Sequence, residues 1–167
     1  TDNSSCVLVD IPGTYSLLAH SPEEEIARNF ICFSKPEKVI VVCDATCLER
    51  NLNLVLQTLE ITKNIIVCVN LLDEAKRKGI KIDLKALSES LGVKVVGTVG
   101  RDKKSLSKLC DAIDKDNKNE NTVKIIYPDA IEKAISVLEP TLKLKLNDEV
   151  DSRWFSIKLL ENDTTLI

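Results

Sequence analysis

The chain has 167 residues, 44% of them hydrophobic and 29% charged, with a net charge of -3 and a single His. That is apolar content for one ordinary domain, or one domain plus a small appendage. It offers no basic stripe for a nucleic acid, no apolar run near the roughly 18 residues that cross a bilayer, and an opening TDNSS without a signal-peptide core, so any membrane role lies outside this chain.

In chain order, "CVLVD" (6 to 10) reads as a short apolar strand that ends on a carboxylate and turns at Pro12-Gly13. Ser21-Pro22-Glu23-Glu24 follows as a capping box, with Ile26 and Phe30 opening the apolar face of a helix. "VIVVCD" (39 to 44) is a second strand, and Leu48, Leu52, Val55, Leu56 and Leu59 stripe a helix over 48 to 62. "NIIVCVN" (64 to 70) is a third strand; Asp83 caps a helix with Leu84, Leu87 and Leu91 inward, ended by Gly92. "VKVVGT" (93 to 98) is a fourth strand, and Leu106, Leu109, Cys110 and Ile113 mark the helix after it. Continuous apolar strands alternating with helices predict a parallel sheet covered on both faces.

The composition changes at "DKDNKNENT" (114 to 122), which reads as a linker or a frayed helix end. Beyond it, Ile131, Ala134, Ile135 and Leu138, then Trp154, Phe155, Ile157 and Leu160, predict a small helical subdomain, with the alternating "LKLKL" (142 to 146) read as a helix edge or loop. The expected division is 1–118 and 119–167. Of the six cysteines, Cys6, Cys43 and Cys68 fall in strand-like runs and read as small core hydrophobes; Cys43 and Cys47 have a ligand-like spacing, but one His and no CxxC pair argue against zinc.

Ligands of an open parallel sheet bind beyond the carboxyl ends of its strands, which singles out three positions. Asp10-Ile11-Pro12-Gly13 could hold a magnesium-bound water through Asp10 and a terminal phosphate through the Gly13 amide, although an isolated DxxG reads equally as a strand-to-loop turn. In Asn70-Leu71-Leu72-Asp73, the Asp73 carboxylate can accept the N1-H and N2-H2 donors of guanine, which adenine does not offer, while Asn70 braces neighbouring loops; alone, Asp73 reads as readily as a helix N-cap. Thr98-Val99-Gly100, followed by Arg101, could donate a backbone amide to guanine O6. Taken together, DxxG, then NxxD about 60 residues on, then a small-residue loop about 25 further form the order of sites in a translation-factor-like GTPase domain.

The stretches "DIPGTYSLLAHSPEEEIARNF", "VVCDATCLERNLNLVLQTLE", "VNLLDEAKRKGIKIDLKALSESLGVKVVGT" and "SRWFSIKLLEND" resemble the cytosolic part of the ferrous iron transport protein B (FeoB) family, over nearly the whole chain. The resemblance implies an α/β fold, an incomplete GTPase-type, mostly parallel sheet with flanking helices, followed by a helical subdomain of the kind that steadies bound GDP. It implies a guanine-nucleotide-binding regulatory module on the cytoplasmic side of a bacterial cell membrane, with GTP or GDP and Mg2+ as ligands and a permease region of the same protein as partner for Fe2+. Position by position, Asp10 and Gly13 match the γ-phosphate and magnesium sensor, residues 14 to 30 the second switch, Asn70 and Asp73 the guanine reader, and Thr98 to Gly100 the loop at the base.

Two departures stand out near the base, Leu71 where GTPases generally carry Lys and Val99-Gly100 for a commoner Ser-Ala. The larger one is that no GxxxxGKS or GxxxxGKT loop occurs in the chain, so the α and β phosphates lack a cradle and this chain alone is expected not to hydrolyse GTP. Two other readings stand beside this one: another translation-factor-like GTPase, and a nucleotide-independent interaction module. His20 and Tyr15 lie in the switch-like segment and read as an exposed loop residue and a packing residue. In the GTPase topology another strand separates "CVLVD" from "VIVVCD"; without it, residues 1 to 30 are expected to be displaced, or exchanged with a second copy, rather than held in an intact sheet.

Overall fold

The structure, a computed structural model, describes residues 6–115, 122–147 and 149–166. Its centre is a parallel sheet in the order β1 (Val39–Asp44), β2 (Ile65–Asn70), β3 (Lys94–Gly97). Register is fixed from Val39 opposite Ile65 to Asp44 opposite Asn70, and from Ile66 opposite Lys94 to Val69 opposite Gly97. β2 is buried at every position before Asn70, as expected of a run of apolar, largely β-branched residues with a layer on each face.

One face carries Val41, Cys43, Ile65, Val67, Val69 and Val95, packed under α2 (Leu48–Ile61) and α4 (Leu84–Leu91). On the other, α5 (Lys103–Asp114) covers Ile66 and Val96 through Leu109, Ala112 and Ile113. That cover stops short of Val42 in β1, which is 60% exposed. The signals read for α4 act as expected, the Asp83 carboxylate accepting from the amides of Lys85 and Ala86 and Gly92 ending the helix at φ 68°; the structure adds a cap on α5, the Asp102 carboxylate accepting from the Lys104 amide.

Residues 6 to 10 are not a strand. They run exposed and irregular, because a lone apolar run gains ladder hydrogen bonds only from a neighbour, and β1 pairs with β2 alone. Cys6 is therefore exposed rather than a core residue, while Cys43 and Cys68 are buried; burial, with Cys68 and Cys47 nearby, pushes the Cys43 thiol up to about 12. Of the segment 1 to 30 expected to be displaced or exchanged, residues 6 to 10 lie outside the sheet. From Ile11 onward the chain packs back: Ile11, Leu17, Ala27 and Ile31 join Val39, Leu54 and Ile61.

The helix α1 (Pro22–Phe33) is capped by Ser21 Oγ, which accepts from the Glu24 amide at 3.2 Å. The return bond of the box goes one residue further back, from the His20 amide to Glu24 Oε2 at 2.9 Å. The buried face is Ala27, Arg28, Ile31 and Cys32, so Ile26, expected inward, points to solvent. The helix is rotated because Arg28 is drawn in: it is fully buried, its Nη1 donates to Asp163 Oδ2 at 2.7 Å, and its Nε and Nη2 donate to Asn29 Oδ1.

The C-terminal region is helical, α6 (Asp129–Leu146) packed on α7 (Ser152–Leu160). The "LKLKL" segment is the last part of α6, which continues through Pro140 and ends at Asn147 in the left-handed conformation. Trp154, at 3% exposure, and Ile157 are buried, whereas Leu160 is exposed. The linker at 114 to 122 falls mostly outside the described residues. Among the described residues, polar ties hold this region to the sheet unit from Arg28 to Asp163, from the Tyr127 hydroxyl to Glu60 Oε1 at 2.6 Å, and from the Val123 amide to the Leu91 carbonyl at 3.0 Å. Arg153 locks the near side, pairing Glu132 at 2.6 Å and donating to the Ile125 carbonyl.

A buried cation that loses its only carboxylate costs far more than one replaced together with its partner. Asp163→Asn is expected to lower unfolding stability by about 3 kcal/mol, and adding Arg28→Met is expected to restore most of the loss. Urea denaturation of the two variants measures this.

Candidate nucleotide-base site

The parallel register brings Asp44, Asn70 and, one residue past β3, Thr98 to the same end of the sheet. Asp44 is occupied locally: its carboxylate accepts from the Thr46 amide at 2.7 Å and its amide donates to Asn51 Oδ1 at 2.9 Å, fixing a 3-10 turn over 45 to 47. The Thr46 hydrogen bonds hold its acid below the usual carboxylate range.

Asn70 joins the next two loops. Thr98 Oγ1 donates to Asn70 Oδ1 at 3.0 Å, the Thr98 amide donates to the Val69 carbonyl at 2.8 Å, and the Leu72 amide donates to the Thr98 carbonyl at 3.3 Å. Thr98 is buried and also meets Cys68 Sγ at 3.3 Å. Ser105 in α5 closes the far side, accepting from the Val99 amide and donating to the Val99 carbonyl, both at 3.0 Å. A Cβ on Gly100 would stand 3.8 Å from Asn70 Nδ2, an ordinary contact, so sterics do not demand glycine there.

Leu71 turns the chain out of β2 in the left-handed conformation, φ 62° and ψ 32°, an uncommon state for a bulky residue. Such strain clusters where a loop is held for a purpose. The turn starts α3 (Leu72–Arg77), whose N-cap is Leu71 with no side-chain cap bond, so Asp73 does not cap the helix. The Asp73 carboxylate, 28% exposed, accepts instead from Arg101 Nη2 at 2.5 Å. Partial desolvation raises its acid, but the Arg101 hydrogen bond and charge, with the amides of Glu74 and Asp73, outweigh it and leave the carboxyl below its usual range. An ionised, partly exposed carboxylate on a braced turn is of the kind that accepts two adjacent N-H donors from a planar ring; here its Oδ2 is engaged by Arg101.

The other candidate, residues 10 to 13, is not gathered with these. Asp10, Pro12 and Gly13 are exposed and Ile11 alone is partly buried. The segment after it is held on α2: Arg50 lies 4.3 Å above the Tyr15 ring, and the Leu17 amide donates to Gln57 Oε1 at 2.7 Å. Tyr15, expected to pack, is instead 64% exposed, with the Arg50 guanidinium over one face of its ring, and His20 is exposed as expected. A separate open cleft of about 570 Å3 lies at the amino ends of the strands, lined among others by Cys32, Pro36, Asn64, Glu139 and Asp151, away from Asn70 and Asp73. Among the described residues no group of three or more metal-ligating side chains converges.

Sequence reasoning missed the partners: Arg101 on Asp73, Ser105 behind Val99, and Gln57 and Arg50 under the 14–18 segment. Arg101 had a signal, standing next to a loop already singled out. The other three are contacts across 6, 40 and 35 residues of sequence that no local pattern marks.

The sequence models of two families match the chain: ferrous iron transport protein B over residues 1–113, and the FeoB cytosolic helical domain over residues 127–167. A Fe(2+) transport protein A/Fe(2+) transporter FeoB fusion protein from Porphyromonas gingivalis is 37% identical over 93% of this chain and 19% of its own length. The solved cytosolic domain of L. pneumophila FeoB superposes with a TM-score of 0.82 at 29% identity, covering 93% of this chain and 67% of that one. A GDP-bound NFeoB point mutant from S. thermophilus superposes with a TM-score of 0.81 at 32% identity, covering 93% of this chain and 60% of that one. The chain spans about one fifth of the length of the curated relatives it matches, 19% and 22% for the P. gingivalis and Salmonella typhimurium proteins.

Gly97 sets the distance between β3 and the Asp73 turn: a Cβ there would lie 2.5 Å from both Leu72 Cδ1 and Leu84 Cδ1. Gly97→Ala is expected to cost about 1–3 kcal/mol of stability by overpacking. The same variant should move the amide resonances of Leu72 and Asp73, read in one pair of NMR spectra alongside a urea titration.

Proposed function

Because this chain belongs to the ferrous iron transport protein B family, we propose that it is the guanine-reading part of a nucleotide switch that controls Fe2+ passage in a longer transporter. The observation that carries this is the Asp73 carboxylate on a strained turn braced by Asn70 and Thr98 at the carboxyl end of the sheet. Asp73 accepts guanine N1-H and N2-H2. Asn70 holds the Thr98–Gly100 loop where the Gly100 amide can reach the base O6, the Val99 amide being taken by Ser105, and Leu71 and Leu72 shape the turn beneath it. Adenine would leave Asp73 unmatched, which is the source of selectivity.

Residues 10 to 13 serve as the phosphate sensor. Their present conformation does not build a magnesium site, since Asp10 is an exposed carboxylate on a segment outside the sheet; a role toward Mg2+ requires that segment to take a place in the sheet, with a further strand between it and β1. Mg2+ would neutralise the phosphate charge, and the α and β phosphates would need a cradle of the GxxxxGKS or GxxxxGKT kind, which this sequence does not contain. Nucleotide hydrolysis therefore belongs to the longer protein. Its position is the cytoplasmic side of a bacterial membrane, its partner the permease region of the same protein, and the sheet unit to about residue 118 and the helical region from 119 act as separate modules. The uncovered Val42 and the unpaired side of β1 favour a second reading, an interaction module whose edge receives a strand from elsewhere, by exchange with a second copy or from the same chain.

Asp73→Asn replaces an acceptor pair with one acceptor and one donor. In the longer protein it is expected to weaken GDP binding roughly 10- to 100-fold and to favour xanthosine diphosphate, whose ring places a carbonyl opposite the new amide. Calorimetric titration of both nucleotides against both proteins reads the exchange of preference; an unchanged GDP affinity contradicts the assignment.

A further inference from the structure

We propose that Arg101 is an internal competitor for the guanine edge: in the nucleotide-free state its guanidinium occupies the Asp73 carboxylate and must leave before a base can be read. This rests on the assignment of Asp73 to guanine recognition and goes beyond it, to what sets the affinity and exchange of that site.

The chemistry is a near match. The part of guanine that a carboxylate reads is N1-H, C2 and N2-H2, a planar carbon bearing two neighbouring N-H donors. An arginine guanidinium presents the same pattern, with full positive charge. Arg101 Nη2 donates to Asp73 Oδ2 at 2.5 Å. The pair spans 28 residues and joins the two loops that flank the site, so it is not a by-product of helix geometry. The Arg101 side chain is 79% exposed and that of Asp73 28%. The arginine is held by little else and can swing out, while the carboxylate sits on a turn that stays. Neighbouring cations do not take its place: Arg77 pairs with Glu74 and Lys104 sits on the helix beyond Asp102.

Exposed pairs are weak and are screened by salt, so the contact acts as a light counterweight rather than a lock. Removing it should tighten nucleotide binding modestly and speed association, more so at low ionic strength. Replacing Asp73 removes the reason for any such effect.

The test is a cycle in the longer protein, using fluorescent GDP and xanthosine diphosphate as probes. Arg101→Gln is expected to raise GDP affinity roughly two- to fivefold at low salt, with the gain shrinking at high salt, and to leave xanthosine diphosphate affinity unchanged in an Asp73→Asn background. If Asp73→Asn exchanges the nucleotide preference but Arg101→Gln leaves GDP affinity unchanged or lowers it, competition by Arg101 is overturned while guanine reading stands. A gain from Arg101→Gln that persists in the Asp73→Asn background also overturns it, since the arginine would then act elsewhere. If Asp73→Asn leaves GDP affinity intact, the base reading fails, and the competition fails with it.

Discussion

The pairing of β2 between two parallel neighbours governs the rest of the structure. β2 is apolar until Asn70, so the strand is stable only with a layer on both faces, and α2, α4 and α5 supply it. Parallel register then dictates that Asp44, Asn70 and Thr98 emerge side by side, where the chain must turn and where its polar groups first meet one another. The Asn70–Thr98 hydrogen bond is the consequence: it converts two strand ends into one rigid platform and sets the Leu71 turn that carries Asp73. A site assembled from loops on such a frame is positioned by the core rather than by its own contacts.

The same dependence explains where order is lost. Among the described residues β1 has one partner, and residues 6 to 10 pair with no strand, so an apolar run with strand composition remains exposed. Strand identity lies in the neighbour as much as in the residues. The segment recovers as soon as it can bury something, at Ile11 and Leu17 against α2, with Gln57 holding the Leu17 amide. Among the described residues polar ties hold the helical region to the sheet unit, and the Arg28–Asp163 pair places its end directly on α1, the helix that follows residues 10 to 13.

Much of this was legible in the sequence, for physical reasons that differ by element. The three sheet strands declared themselves by continuous apolar, largely β-branched runs interrupted by polar residues only at their ends, Asp44, Asn70 and Lys94, and α4 because Asp83 and Gly92 mark its ends by chemistry that acts within a few residues. Asn70, Asp73 and Thr98 could be singled out because strand ends are where a parallel sheet exposes function. What could not be read were effects decided by distant partners. Ile26 points outward because Arg28 has a carboxylate 135 residues away, and Asp73 is engaged by Arg101 only once the two loops have been brought together. Cys6 was misread along with its strand, for want of a neighbour to bury it.

The central claim is that the loops after β2 and β3 form the guanine site. A GDP titration of the isotope-labelled longer protein, followed by amide NMR, tests it most directly. The account predicts that the largest shifts fall on Asn70 to Asp73 and Thr98 to Arg101, and that adenosine diphosphate leaves them in place. Shifts that spare these two loops and gather instead at the cleft around Cys32, Asn64 and Glu139 would contradict it.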